Sequence, residues 1–275
     1  MKIAVTGGSG GIGRAIIAEA LAQGHSVVNI DRAAPPTPQE GVPFVQADMS
    51  EYEKLVEAFA GCDGVIHMAA IPSPGRHPDH EIHNNNVVGS YNALHAAAAN
   101  GIKRVCQASS VNAIGHSFSR SPRYDYFPID ENHLNYTEEP YSLSKWICEQ
   151  QADSFERRHE DMRIASMRFH FVCNDRSVAA NNFNRNFENA GKHLWAYTRF
   201  DAAARACLLS LTADFEGHEV FFIIAPDTTM DVPSRELAEK YFPDVPIRGE
   251  FAGNCSFFDS SKAGRILGWE HPRGS

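Results

Sequence analysis

The sequence predicts an α/β protein: a doubly wound parallel sheet with a small C-terminal cap. Three observations carry this. Short β-branched runs alternate with longer helical patterns through the first 170 residues, the pattern of βαβ units. The strand runs are apolar throughout rather than alternating, as required when helices cover both faces of a sheet. The chain opens on a strand that runs straight into a glycine-rich turn and then a helix, TGGSGGIG at 6–13.

In chain order, residues 3–6 read as the first strand and 12–23 as the first helix, which ends at Gly24, a residue that closes helices without a Cβ penalty. Strands follow at 26–30 and 43–46, a helix at 51–60 and a fourth strand at 64–68. Residues 33–41 hold three prolines and form a surface loop. A long helix covers 83–100 and stops at Gly101, and a fifth strand covers 103–108. The stretch 114–139 is polar, aromatic and without periodicity; a structureless stretch that long inside a compact domain is usually functional. An amphipathic helix spans 140–158 and a sixth strand 163–168. Residues 174–193 are Asn-rich and read as irregular. Helices near 201–211, 234–241 and 260–267 and a strand at 220–224 complete the chain.

The 275 residues suffice for one large α/β domain. A net charge of −9 offers no general attraction to nucleic acid or anionic membrane, and neither is expected as a partner. No window approaches the ~20 apolar residues of a membrane-spanning helix, and the N-terminal MKIAVTG lacks the features of a signal peptide. The six cysteines (Cys62, Cys106, Cys148, Cys173, Cys207, Cys255) form no C-x-x-C pair and suit reduced thiols, so a cytoplasmic location is expected. The 13 histidines show no metal-ligand spacing, and no metal is expected.

The glycine turn is the candidate cofactor site. Gly7, Gly10 and Gly13 let the backbone turn tightly, approach a pyrophosphate and pack the helix close to the sheet. Gly11 and Ile12 then lie at a helix start whose free N–H groups and positive dipole end favour phosphate. Asp31 ends the second strand, where a carboxylate accepts from the adenosine ribose hydroxyls and repels a 2′-phosphate, so NAD is expected over NADP. Arg32 beside it either holds such a phosphate or is a solvated loop charge. Asp48 accepts from the adenine amino group or caps the next helix, and Met49 follows it in the same candidate site. Ala69 and Ala70 are small residues where the backbone would run beside the cofactor.

Tyr141 and Lys145 stand four residues apart at the start of a helix, which places them on one face. A free tyrosine has a pKa of about 10, too high for a base at neutral pH, and a nearby ammonium lowers it. Ser110, after the fifth strand, can donate to the same substrate oxygen. Together they would stabilise an alkoxide while a hydride moves to or from a nicotinamide. The Tyr–Lys spacing alone is common by chance; its specificity comes from following the glycine turn, Asp31 and Ser110 in order.

The segments TGGSGGIG (6–13), VIHMAA (65–70), NNNVVGSYNALHAAAANGIKRV (84–105), SSVNAIG (109–115) and PYSLSK (140–145), with Asp31, resemble the extended short-chain dehydrogenases/reductases, the NAD-dependent epimerase/dehydratase family. The resemblance covers roughly the first 170 residues. It implies a Rossmann-like NAD-binding unit at 1–170 that carries Ser110, Tyr141 and Lys145, and a small substrate-binding cap at 171–275 interleaved with the sheet. It implies a homodimer formed through the helices at 83–100 and 140–158. It adds Phe169 as a cofactor contact, and Asn85 and Asn86 as residues that contact the cofactor or order the active site, the two asparagines reading equally as capping or helix-surface residues. Family dehydratases carry an Asp-Glu pair after the catalytic Ser or Thr; Val111 and Asn112 stand there, against elimination chemistry. Nucleotide-sugar epimerases follow the sixth strand with R-x-x-N and a glycine; here Phe171 replaces the Asn, and Cys173-Asn174 the glycine segment. In length and in the 109–115 segment the chain is closer to uronate dehydrogenases, which oxidise the anomeric carbon of a free sugar acid. No arginine falls where that group holds the substrate carboxylate; Arg185, Lys192 and His193 are substitutes in that region.

Ser73, Asn112 and His170 join Ser110 as candidate substrate contacts. His67 reads as a packed core residue, Tyr124, Tyr126 and Phe127 as pocket wall or packing, and Trp195 as an anchor of the cap. The expected function is hydride transfer between NAD and a secondary alcohol of a small polar substrate, a sugar or sugar acid. The competing readings are a nucleotide-sugar 4-epimerase and a non-enzymatic NAD-sensing regulator; retention of Tyr141 and Lys145 counts against the second.

Overall fold

The computed structural model describes residues 1–184 and 187–273. A seven-stranded sheet runs through the molecule, built from β1 (Lys2–Thr6), β2 (Ser26–Asp31), β3 (Phe44–Gln46), β4 (Gly64–His67), β5 (Arg104–Ser110), β6 (Arg163–Phe169) and, after the two-residue strands β7 (Val172–Cys173) and β8 (Thr198–Arg199), β9 (His218–Ile223). The order is β3-β2-β1-β4-β5-β6-β9, and every ladder is parallel. The winding reverses between β1 and β4, and in such sheets a crevice opens beyond the carboxyl ends of those strands.

The apolar strands face two helical layers. Ile3 and Val5 of β1 point into a core shared with α1 (Gly11–Ala22), α7 (Phe200–Ser210) and α9 (Ser261–Leu267). Ala4, between them, points to the opposite core with Val28, Val65 and Ile164, under α2 (Tyr52–Phe59), α3 (Asp79–Ala99) and α4 (Pro140–Arg158). A third core lies beyond the strand ends. Tyr124, Phe127 and Ile129 of the long loop pack there with Trp195, Tyr197, Phe222 and Phe257. Within 171–275, α7, β9 and α9 thus build the sheet and one of its layers. Residues 176–184 and 187–192 and α8 (Ser234–Tyr241) sit over the carboxyl edge.

Two local expectations are corrected. Residues 174–193, read as irregular, contain helices α5 (Arg176–Asn184) and α6 (Phe187–Lys192). Asn is a poor helix former, but the Asp175 carboxylate caps α5, accepting from the Val178 N–H at 3.0 Å and the Ser177 hydroxyl at 2.6 Å. Burial of Ala179 and Phe183 supplies the rest. α3 starts at Asp79 rather than 83. Pro78 precedes it, and Asp79 and Glu81 in its first turn favour the positive end of the helix dipole. Apolar periodicity begins only at Ile82, which hid that turn.

The aromatic loop residues are structural. Phe127 is fully buried, with ring centroids 4.8 Å from Phe257 and 5.5 Å from Phe242. Phe127→Ala is expected to lower unfolding free energy by about 3–5 kcal/mol, read from urea denaturation followed by tryptophan fluorescence.

Candidate active site

One cleft of about 750 Å³ opens at the switch point. Its floor at one end is the turn between β1 and α1. Gly7 adopts φ +67°, and a Cβ there would stand 2.7 Å from the Ala69 backbone nitrogen. A Cβ on Gly13 would collide with the Gly7 carbonyl. Only glycine lets strand, turn and helix approach this closely. Gly10 is the N-cap of α1, and no side chain caps it. The first turn, Gly11, Ile12 and Gly13, therefore presents backbone N–H groups and the positive helix end to the cleft. These features suit a pyrophosphate.

Asp31 borders the cleft at the end of β2, its two oxygens accepting from Ser9 N–H and Ala33 N–H, both at 3.1 Å. Arg32 also lines the cleft and is exposed. Asp48 and Met49 form the next stretch of wall. The Ser50 hydroxyl and N–H bind Asp48 Oδ1 at 2.6 and 2.9 Å and hold its carboxyl below the usual range, with Arg32 adding to the effect. Asp48 therefore serves a turn as well as bordering the cleft. Ala69, Ala70 and Asn85 line the opposite side.

Asn86 and Ser73 are not in the wall. Asn86 is buried: it accepts from Ile71 N–H at 2.8 Å and donates to the Ile71 carbonyl and to Ser144 Oγ, both at 3.1 Å. It ties the segment after β4 to α4, so it orders the site rather than touching what the cleft holds. Ser73 lies past Ile71 and Pro72, where the chain has left the wall.

Ser110, Tyr141 and Lys145 converge at the deep end. Glu139 caps α4, its carboxylate accepting from Tyr141 N–H at 2.8 Å and Ser142 N–H at 2.6 Å, which fixes where the Tyr141 helix begins. Burial pushes the Tyr141 hydroxyl up to about 12, and its hydrogen bond with Ser110 opposes that rise. The Asn112 N–H donates to Ser110 Oγ at 3.1 Å and leaves the serine's own proton free to point elsewhere. Lys145 Nζ donates to the Ala108 carbonyl at 2.8 Å and stands 5.9 Å from the Tyr141 ring centroid. The contact that lowers Tyr141 here is thus Ser110; the expected ammonium is present but anchored on a backbone carbonyl. Burial lowers the Lys145 pKa as well.

Asn112 lines the cleft, but its Oδ1 accepts from the Ser117 hydroxyl at 3.2 Å and Phe118 N–H at 3.1 Å. It holds the loop that seats Phe118 edge-on to Tyr141, centroids 5.5 Å apart. His67 is buried 2.7 Å from the Thr6 hydroxyl, and burial first, then Lys145, depresses it to about 3. Phe169, His170, Phe171 and His193 wall the far end. Phe171 takes a left-handed φ of +35°, which few non-glycine residues adopt, and lays its ring 5.2 Å from Phe183. Lys192 Nζ is spent on the carbonyls of Ser119 and Arg120. Arg185 lies outside the described residues. Among the described residues no side-chain cluster suits a metal ion.

Sequence reasoning missed a buried ion pair behind this site. Arg168 Nε and a terminal nitrogen donate to the two Glu149 oxygens at 2.9 and 2.8 Å, and the Ser109 hydroxyl donates to the same carboxylate at 2.6 Å. Glu149 falls four residues after Lys145 on the same helix face. A charge continuing a buried face was the readable signal.

A model of the NAD dependent epimerase/dehydratase family matches residues 3–217. The chain is 32% identical over 164 residues to the L-arabinose 1-dehydrogenase (NAD(P)(+)) of Haloferax volcanii, covering 58% of this chain and 62% of that enzyme, so it spans less than two thirds of that relative's length. Among solved structures it superposes on a UDP-glucose-4-epimerase from Stenotrophomonas maltophila with bound NAD and formylated UDP-arabinopyranose (TM-score 0.75, 21% identity, 99% of this chain, 94% of that one). It also superposes on a mutated uronate dehydrogenase (TM-score 0.71, 22% identity, 100% of this chain, 82% of that one). These structural likenesses carry the fold.

The steric limits at the turn give a direct test. Gly13→Val is expected to displace the turn and abolish NAD binding, measured by calorimetry, while the far-ultraviolet circular dichroism of the folded protein is kept.

Proposed function

The chain belongs to the NAD dependent epimerase/dehydratase family, and we propose on that premise that it is an NAD-dependent oxidoreductase acting on a secondary alcohol or carbonyl of a small polyhydroxylated substrate, a sugar or sugar acid. NAD bound along the glycine turn and Asp31 supplies the hydride acceptor or donor. The observation that carries the reading is the convergence of Ser110, Tyr141 and Lys145 in one cleft with the glycine turn, Lys145 Nζ standing 5.9 Å from the Tyr141 ring centroid. In the oxidation direction Tyr141 takes the proton of the substrate hydroxyl. Ser110 donates to the same oxygen and stabilises the negative charge that develops there. Lys145 favours the phenolate form of Tyr141 by its charge. Asp31, its oxygens already oriented by two backbone N–H groups, supports NAD over NADP because a 2′-phosphate would meet a carboxylate.

Elimination has no support at this site. Val111 is an apolar buried side chain, and the Asn112 oxygen is occupied by Ser117 and Phe118. Neither is placed to act as acid or base.

A homodimer is part of the proposal. α3 and α4 pack side by side, and their outer faces leave Val88, Tyr91 and Leu143 exposed. Exposed apolar side chains on adjacent helices suit a self-complementary interface.

Incubation with NAD and a panel of aldoses, uronic acids and simple secondary alcohols is expected to produce NADH, followed by absorbance. Tyr141→Phe is expected to slow this by about 10²–10⁴-fold. Interconversion of UDP-sugars with no net NADH would replace this reading by an epimerase. The oxidation rate is expected to rise with pH, because Tyr141 must lose a proton that burial holds. Lys145→Met is expected to move that rise to higher pH, since the ammonium favours the phenolate. Light scattering is expected to give twice the 30.4 kDa chain mass, and Tyr91→Glu to give the monomer.

A further inference from the structure

We infer that the substrate end of the cleft selects a neutral, hydroxylated ring over the corresponding carboxylate, with His170 Nδ1 accepting a hydroxyl proton from that ring. The inference rests on the oxidoreductase reading above and narrows its substrate class. It comes from three imidazoles beyond Tyr141. His116 and His170 meet edge-on with centroids 5.1 Å apart, and His170 stacks on His193 at 5.4 Å with 19° between the planes. His170 and His193 line the cleft, and His116 is fully buried behind them.

The hydrogen bonds fix the protons. The Tyr124 hydroxyl lies 2.7 Å from His116 Nδ1 and 3.2 Å from the Lys192 carbonyl. His116 Nε2 faces His170 Nε2 at 3.4 Å. His170 Nε2 must carry a proton, because it lies 2.8 Å from the His193 carbonyl, which can only accept. A neutral imidazole bears one N–H, so His170 Nδ1 is an acceptor. No hydrogen bond reaches it among the described residues, and it is not among the side-chain atoms sealed from solvent. On a residue that is otherwise buried and lines the cleft, that atom is open to the cleft.

The surroundings keep the cluster uncharged. Burial is the larger cause and neighbouring charge the smaller: His170 falls to about 3 beside His193, and His193 to about 4 beside Lys192. Lys192 itself is tied to backbone carbonyls of the long loop. Among the described residues, the wall here also includes Phe118, Phe171, Val172 and the neutral amide of Asn182. A sugar hydroxyl brings the proton that the Nδ1 lone pair lacks. A carboxylate brings only lone pairs, and meeting one would require protonating an imidazole against its burial.

The test uses an aldose and the uronic acid of the same ring configuration with the full-length protein. Wild type is expected to show a kcat/KM for the aldose higher by about 10-fold or more, the discrimination typical of leaving a buried polar group unpaired. His170→Ala is expected to collapse that ratio by raising KM for the aldose while NAD affinity is kept. His170→Asn, which restores an acceptor, is expected to recover it. Calorimetry of both sugars on the enzyme–NAD complex runs in parallel. Equal or tighter binding of the uronate, absence of aldose binding, or a ratio unchanged in His170→Ala overturns the inference. Selective aldose binding without turnover sustains it and overturns the oxidoreductase reading instead.

Discussion

The site depends on the buried pairing of Glu149 with Arg168. Three elements meet in it: α4 supplies the carboxylate, β6 the guanidinium and β5 the Ser109 hydroxyl. Each carries or precedes a residue of the reactive end. Ser109 adjoins Ser110, Glu149 lies on the face of α4 that bears Tyr141 and Lys145, and Arg168 precedes Phe169 and His170. The geometry is bidentate, which fixes direction as well as distance. Net stabilisation from such a pair is small, because desolvating both ions offsets their attraction. Removing one partner is another matter: an uncompensated buried charge costs about 3–5 kcal/mol. The pair thus resists any change of register among β5, β6 and α4, and Ser110 stays within hydrogen-bond reach of Tyr141.

What could be read in the sequence was whatever is local. The glycine turn, Asp31, Ser110 and the Tyr141–Lys145 spacing are short patterns whose meaning follows from strand–turn–helix geometry, and the structure brings these residues into one cleft. The sheet was equally readable, because burial on both faces demands continuous apolar strands. Reading failed where partners lie far apart in sequence. Glu149 and Arg168 are separated by a helix and a turn, and His116, His170 and His193 come from three segments. Of the two roles Asn86 offered, contacting the cofactor or ordering the site, its amide takes the second, bonded to Ile71 and Ser144. Helices α5 and α6 were hidden because Asn-rich composition argues against them, while a cap at Asp175 and burial of Phe183 argue for α5. Local propensity lost to tertiary packing.

The cleft has two electrostatic halves. At the turn, uncapped N–H groups and a helix dipole offer positive potential without a charged side chain, and Asp31 sets a negative limit at the rim. At the reactive end, burial has driven the ionisable groups toward their neutral forms. Tyr141 keeps its proton, and His67, His170 and His193 do not take one. Lys145 is the exception in kind, with its ammonium held by the Ala108 carbonyl.

That arrangement bears on the direction of chemistry. A Tyr141 hydroxyl at about 12 is an acid at rest, ready to deliver a proton to a developing alkoxide. Working as a base at neutral pH, it must be ionised against its burial. Lys145 opposes that cost: its ammonium, 5.9 Å from the Tyr141 ring centroid, acts in a medium where burial has weakened screening. In either direction, the proton of Tyr141 and the ammonium of Lys145 act on the same oxygen. A substrate that brought its own negative charge would compete for that ammonium, so a neutral ring suits both the imidazole wall and the tyrosine it must meet.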